Sequence, residues 1–512
     1  MTRAFRWATI VALCLTVLPG ILFGQDSAAG TPLSLEAAVQ KAIPASEAIG
    51  LAVAERLRAS GQIHRAYAEF LPQLTLSAQY TRQIKSQYGS SSDSSSAGAA
   101  CTRFTPQPGT EAERLDSLEA AVGCLTNQNP FAAFSELPFA RPNQYNFGIS
   151  FSQTLFNGSV RGRVRAAKAG RTLAELGITS AQSQLVLDVT TAYYDALLAE
   201  QLVSIAQLAL DQSDTTLAQT SLGERVGSAA EFDVLRARVS RDNNRVALIQ
   251  QRASRDVAFD RIKQLVLLPL DQPVNLTTPL ASGDSTAFSM PDTSMLKSND
   301  SSVTQRNAVQ EAQATATIQE IVYKIAAAEW WPSLNLTSRY SQLAYPSGAI
   351  PHGSDFRTDW NVGVLLNFPV WTSGRFKGDA QIARADYEQS VQRLSQARKA
   401  AVLDNRQVIA RLQAAHAAWT ASFGTVEQAE RAYHIAEIRY REGLSTQTEL
   451  NDSRLALAQA QVNRATAARD FRVALTRLQL LPDLPLGGST APTAGPVITA
   501  PPTPATPART GP

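Results

Sequence analysis

The chain has 512 residues, of which 44% are hydrophobic, 7% aromatic and 18% charged, with a formal net charge of +3. That length accommodates several domains, and the apolar share is enough for a sizeable core. The near-neutral balance argues against a basic nucleic-acid face, so no nucleic acid is expected as a partner.

The first residues carry Arg3 and Arg6, an apolar run from Trp7 to Phe23, and small or polar residues from Gly24 onward. This is the layout of a secretory signal peptide, expected over 1–28. An uncleaved anchor is the competing reading. Cys14 belongs to the apolar run, because Leu13 precedes it where a lipidation site wants a small residue. No later segment approaches the ~18 apolar residues of a spanning helix, so any entry into a membrane must take another route.

A first structural repeat is expected over 29–269. It opens with an Ala-rich helical segment over 34–68. A strand over 70–83 follows, then a long loop over 84–143, and a second strand over 145–156. Both strands alternate with period 2. Leu74, Leu76, Ala78 and Tyr80 oppose Thr75, Ser77 and Gln79. Tyr145, Phe147, Ile149, Phe151 and Leu155 oppose Asn146, Gly148, Ser150, Ser152 and Thr154. The loop carries Cys101 and Cys124; in an oxidising compartment they either close a disulfide or stand as two free thiols. Proline-free stretches then predict helices over 158–222 and 227–267, joined by a glycine turn.

A linker is expected over 270–300, and a second repeat over 301–482. Its elements are a helix over 301–328, strands over 330–342 and 358–371, and helices over 373–440 and 446–480. A Pro/Thr-rich tail over 487–512 is expected to be disordered. The two repeats echo one another. FLPQLTLSAQY (70–80) returns as WWPSLNLTSRY (330–340), and KQLVLLP (263–269) as TRLQLLP (476–482). Gly148 corresponds to Gly363 and Gly227 to Gly443, a tandem duplication with a period of about 215 residues.

The four strands have one apolar face, one polar face and aromatic residues at their ends, the pattern of an outer-membrane β-barrel, with a soluble sandwich that has one wet face as the competing reading. Four strands cannot close a barrel, and open edges are not tolerated in hydrocarbon. The membrane reading therefore requires an oligomer, and three chains would supply twelve strands. Helices of some sixty residues span about 90 Å and read as coiled coil. The histidines are His64, His352, His416 and His434, and none pairs with another at metal-ligand spacing. No phosphate-binding glycine loop or nucleophile elbow is present. No enzyme activity, metal or cofactor is expected.

In these features the chain, over 34–482, resembles the TolC-like outer membrane efflux protein family. The resemblance rests on the duplicated halves, the Phe/Trp-x-Pro-x-Leu strand entries, the QTLFNG and FPVWTSG strand exits and the two glycine turns. It implies a fold that is mainly α with a membrane β-barrel. Four strands per chain would build a trimeric twelve-stranded barrel in the outer membrane, and long coiled-coil hairpins a periplasmic α-barrel. It implies a homotrimeric exit duct for an efflux or type I secretion system. Its partners would be a periplasmic adaptor, an inner-membrane transporter and outer-membrane lipid. The periplasmic tips that contact the adaptor would be Arg225, Val226, Gly227 and Ser228 in one repeat. In the other they would be Arg441, Gly443, Leu444 and Ser445. A periplasmic gate would use Asp233, Tyr440, Glu449 and Asp452. An arginine expected two residues after the second glycine is replaced by Ser445, which removes a charge-assisted lock there. The competing reading is a periplasmic coiled-coil adaptor or tethering protein, which would lack the four amphipathic strands.

Overall fold

The computed structural model describes residues 30–84, 108–126, 141–280, 303–346 and 348–486. The signal segment 1–28 and the tail 487–512 lie outside the described residues, as do Cys101 and the side chain of Cys124. In chain order the elements are β1 (Thr31–Leu33), α1 (Leu35–Ala45), α2 (Glu47–Ala68), β2 (Gln73–Arg82), α3 (Glu111–Thr126) and β3 (Asn143–Phe156). Then come α4 (Val160–Arg225), α5 (Glu231–Val266), β4 (Val274–Leu276), α6 (Asn307–Ala328), β5 (Ser333–Ala344), β6 (Phe356–Asn367), α7 (Arg375–Arg441) and α8 (Gln447–Leu480).

The long helices α4 and α7 contain 66 and 67 residues, roughly 100 Å each at about 1.5 Å per residue. Neither contains proline, and alanine is frequent along both, which favours helix and close side-by-side packing. The chain divides into two compact units. One takes Met1–Glu47, Gln184–Thr293 and Gln407–Leu480, and the other Ala48–Ser183, Ser294–Arg406 and Leu481–Pro512, in each case for the described residues.

The second unit holds a four-stranded antiparallel sheet in the order β2-β3-β5-β6. The β3–β5 pairing joins the two repeats, and β2 and β6 form the edges. Register fixes the faces. Leu76 lies opposite Ile149, Ile149 opposite Tyr340, and Tyr340 opposite Trp360. Leu74, Phe151, Ser338 and Val362 form the next row on the same face. Leu76 is 81% exposed and Trp360 is 70% exposed, so this apolar face has no cover among the described residues. On the other face the repeat is visible atom by atom. The Ser77 hydroxyl donates to the Gly148 carbonyl at 3.3 Å, and the Thr337 hydroxyl to the Gly363 carbonyl, also at 3.3 Å.

One strand position departs from strict alternation. A bulge between Thr154 and Phe156 leaves Leu155 as the extra residue and pairs Phe156 with Leu334. Leu334 in turn pairs with Leu366. It is therefore Phe156, and not Leu155, that completes the bottom row of the apolar face.

Helix packing in this unit is equally specific. A Cβ on Gly162 of α4 would lie 2.5 Å from Ile325 Cγ1, so only glycine permits this approach to α6. Val309 and Ala316 of α6 pack with Leu394 and Ala401 of α7. The guanidinium of Arg306, 1% exposed, donates to Asp404 Oδ2 at 2.8 Å and Asn405 Oδ1 at 2.7 Å.

In the first unit β1 pairs in parallel with β4. The buried Tyr193 hydroxyl ties this small sheet to α4: it donates to the Leu33 carbonyl at 2.9 Å and accepts from the Thr278 amide at 2.9 Å. Three segments differ from the sequence expectation. The stretch 270–300, expected as a linker, contains strand β4, formed by a pairing some 240 residues distant in sequence that no local pattern announces. The stretch 34–68 is two helices, because Ser46, two residues after Pro44, is extended. The loop 84–143 contains helix α3.

Candidate functional site

The candidate site lies at the two glycine turns, both in the first unit. Helix α4 ends at Arg225 and α5 returns from Glu231; α7 ends at Arg441 and α8 returns from Gln447. The two turns close identically. Gly227 has φ of 79° and Gly443 φ of 71°, the left-handed region that glycine enters without penalty. The Ser228 amide donates to the Gly223 carbonyl at 2.8 Å and the Gly227 amide to the Glu224 carbonyl at 3.0 Å. In the second repeat the Leu444 amide donates to the Arg439 carbonyl at 2.8 Å and the Gly443 amide to the Tyr440 carbonyl at 3.1 Å. Each is a Schellman motif, which satisfies the last carbonyls of a helix and stops it in a defined direction.

The turns leave Arg225, Val226, Gly227 and Ser228 exposed, and likewise Arg441, Gly443 and Leu444. Val226 is 71% exposed and Leu444 69%, each an apolar side chain beside a basic one. The Arg441 guanidinium is engaged by Glu437 at 2.6 Å. Ser445 is half-buried, and its hydroxyl has no partner among the described residues.

Of the expected gate residues, Tyr440 has a contact to the other repeat. Its hydroxyl shares a hydrogen bond of 3.1 Å with the Thr220 hydroxyl of α4. Arg236 of α5 donates to the Thr448 hydroxyl of α8 at 2.6 Å. The repeats are thus joined here by hydrogen bonds to threonine hydroxyls. Asp233 and Glu449 occupy equivalent places: each is the third residue of its return helix. A carboxylate there is favoured by the helix dipole by about 0.3–1 kcal/mol. Asp233 is half-buried, whereas Glu449 and Asp452 are exposed and, three residues apart, share a face of α8.

Sequence reasoning missed three residues here. Thr446 caps α8, its hydroxyl accepting from the Glu449 amide at 3.3 Å. The Thr-x-x-Glu pattern of a capping box could have revealed it. Thr220 carried no local signal. Arg454 lies 6% exposed on α8, its guanidinium donating to Asn451 Oδ1 at 2.5 Å and to the Ser240 hydroxyl at 3.0 Å. Burial pulls its pKa down.

Helix α5 also leaves an apolar stripe uncovered: Phe232, Leu235, Val239, Val246, Ile249 and Val257 are all exposed. Steps of three, four, seven and eight residues put them on one side of the helix, close to the spacing of a coiled-coil seam.

Two very long helices, four strands with one apolar face, and twin hairpin turns define an outer-membrane channel fold. The Campylobacter jejuni outer membrane channel CmeC aligns with a TM-score of 0.69 at 15% identity, covering 88% of this chain and 85% of that one. The chain belongs to the outer membrane efflux protein family, which it matches over 135–266 and 300–482, more than half its length. The toluene efflux pump outer membrane protein TtgF of Pseudomonas putida is 27% identical over 342 residues, 62% of this chain and 65% of that protein. The pyoverdine export outer membrane protein OpmQ of Pseudomonas aeruginosa is 22% identical over 323 residues, again 62% and 65%. The chain thus spans just under two thirds of the length of these curated relatives.

Proposed function

We propose that this chain is one protomer of a homotrimeric duct in the outer membrane. The duct passively conducts substrates delivered by a periplasmic adaptor and an inner-membrane transporter. The observation that carries the reading is the sheet: an apolar face on four membrane-length strands that, among the described residues, is uncovered and has both edges unpaired. The apolar face is unfavourable in water and the open edges are unfavourable in lipid, so one chain alone suits neither solvent. Three copies joined edge to edge close twelve strands and turn every apolar face to lipid. The stripe on α5 is then covered by a neighbouring copy, and the helices continue the duct into the periplasm. The relatives are named as outer membrane proteins of toluene efflux and pyoverdine export, in keeping with a transport and not a catalytic role.

The hairpin tips, with exposed Val226 and Leu444 beside Arg225 and Arg441, present a mixed apolar and basic surface suited to an adaptor. Tyr440, Asp233, Glu449 and Asp452 form the periplasmic gate. Threefold symmetry gathers the exposed carboxylates of Glu449 and Asp452 into a ring that attracts cations and repels anions. Single-channel recording in planar bilayers tests this. The wild-type chain should conduct with a preference for cations, and the double variant Glu449→Gln, Asp452→Asn should lose much of that preference at unchanged trimer content. Conductance with unaltered selectivity in the double variant would remove the ring from the account.

A further inference from the structure

At the foot of the sheet, where β3 runs into α4, lies an open hollow of about 260 Å³. Its wall is apolar and aromatic: Phe70, Leu155, Phe156, Ala328 and Trp331. Arg161, the second residue of α4, lines the same hollow and is exposed. Among the described residues its guanidinium has neither an ion pair nor a hydrogen bond. The carboxylate of Glu69, just before Phe70, is engaged by Arg163 at 2.8 Å. The hollow therefore combines an unneutralised cation with a greasy wall.

Its position gives it an occupant. Phe156 forms the bottom row of the apolar strand face with Leu334 and Leu366 and also lines the hollow, so the hollow adjoins that face. Trp331, 63% exposed, stands at its rim, and amphipathic aromatics favour the membrane–water boundary. A molecule resting against the strand face and reaching the hollow meets hydrocarbon contacts first and Arg161 last. We propose that the hollow holds the phosphate and glycerol of a membrane phospholipid, with Arg161 bound to the phosphate and the acyl chains lying along the strands. The volume lies just below the range of ligand pockets, which start at roughly 300 Å³, and suits a headgroup and not a whole lipid. The inference rests on the outer-membrane duct reading, since only a lipid-facing sheet places acyl chains there.

The test is native mass spectrometry of the full chain purified in detergent and titrated with dioleoyl phosphatidylglycerol. Dioleoylglycerol and inorganic phosphate serve as separate probes. The wild type should retain phosphatidylglycerol, but not dioleoylglycerol, and millimolar phosphate should not displace it. Arg161→Gln should weaken retention about tenfold, the scale of one charge-assisted hydrogen bond. Arg161→Lys should keep most of it, and Arg384→Gln, on an exposed ion pair of α7, should change nothing. Equal retention by wild type and Arg161→Gln would overturn the proposal. So would equal retention of dioleoylglycerol, complete displacement by phosphate, or loss of the trimer in place of lipid, which would show a neighbouring copy in the hollow. Bilayer conductance of the same samples separates the two claims. A conducting wild type with Arg161-independent lipid retention refutes only the lipid site, whereas a wild type that forms no channel refutes the duct.

Discussion

Gly162 shows how much a single side chain decides in this fold. A Cβ there would lie 2.5 Å from Ile325 Cγ1, well inside van der Waals contact. Gly162→Leu should therefore overpack the α4–α6 contact at a cost of about 1–3 kcal/mol, seen as a lower midpoint in chemical denaturation. A wild-type midpoint would mean that the helices part freely. Glu311 is a second such point. Its carboxylate accepts from the Ser180 hydroxyl at 2.7 Å, and burial raises its pKa above the usual carboxylate range. A carboxyl raised in the folded state lowers stability as pH climbs from its unfolded pKa through its folded one, and the deficit is complete above that. Glu311→Gln should then raise the unfolding midpoint at neutral pH, with the gain vanishing in acid below the unfolded carboxylate pKa. A gain independent of pH would contradict this cause. Neither residue is legible in sequence, since each matters through a neighbour more than 130 positions away.

Individual elements are far more legible. Strands and long helices follow from period 2 and from proline-free runs, because each pattern is written within the element itself. The glycine turns are legible for the same reason: a repeated Gly marks a repeated left-handed residue, and both close as Schellman motifs. What escapes local reading is whatever needs a distant partner: the β1–β4 pairing, the Arg306–Asp404 ion pair, the burial of Arg454. The bulge at Leu155 escapes because a single extra residue does not disturb composition. At the candidate site the turn residues and carboxylates were visible, while Thr220 and Arg454 were not. The α5 stripe was not singled out in the sequence, because apolar spacing marks a helix face without saying what covers it, and it is exposed among the described residues. Val246→Glu with Ile249→Glu should leave the isolated chain folded, since both side chains are exposed, yet abolish trimers on size-exclusion chromatography with light scattering. Trimers at wild-type yield would mean that the stripe faces something else.

For the whole molecule, the decisive feature is the pair of open edges. A sheet ordered β2-β3-β5-β6 offers β2 to one neighbour and β6 to the other, a head-to-tail arrangement that closes only at a fixed number of copies. Twelve strands make a lumen; eight are little more than a filled core. The most direct test of closure places one cysteine in β2, at Gln79→Cys, and one in β6, at Asn361→Cys, with Cys101 and Cys124 replaced by Ser. Outer membranes carrying this chain are then treated with a short bifunctional thiol linker. The account predicts a ladder that ends at covalent trimers; bands that stop at monomer, or that run on past trimer without end, would contradict it.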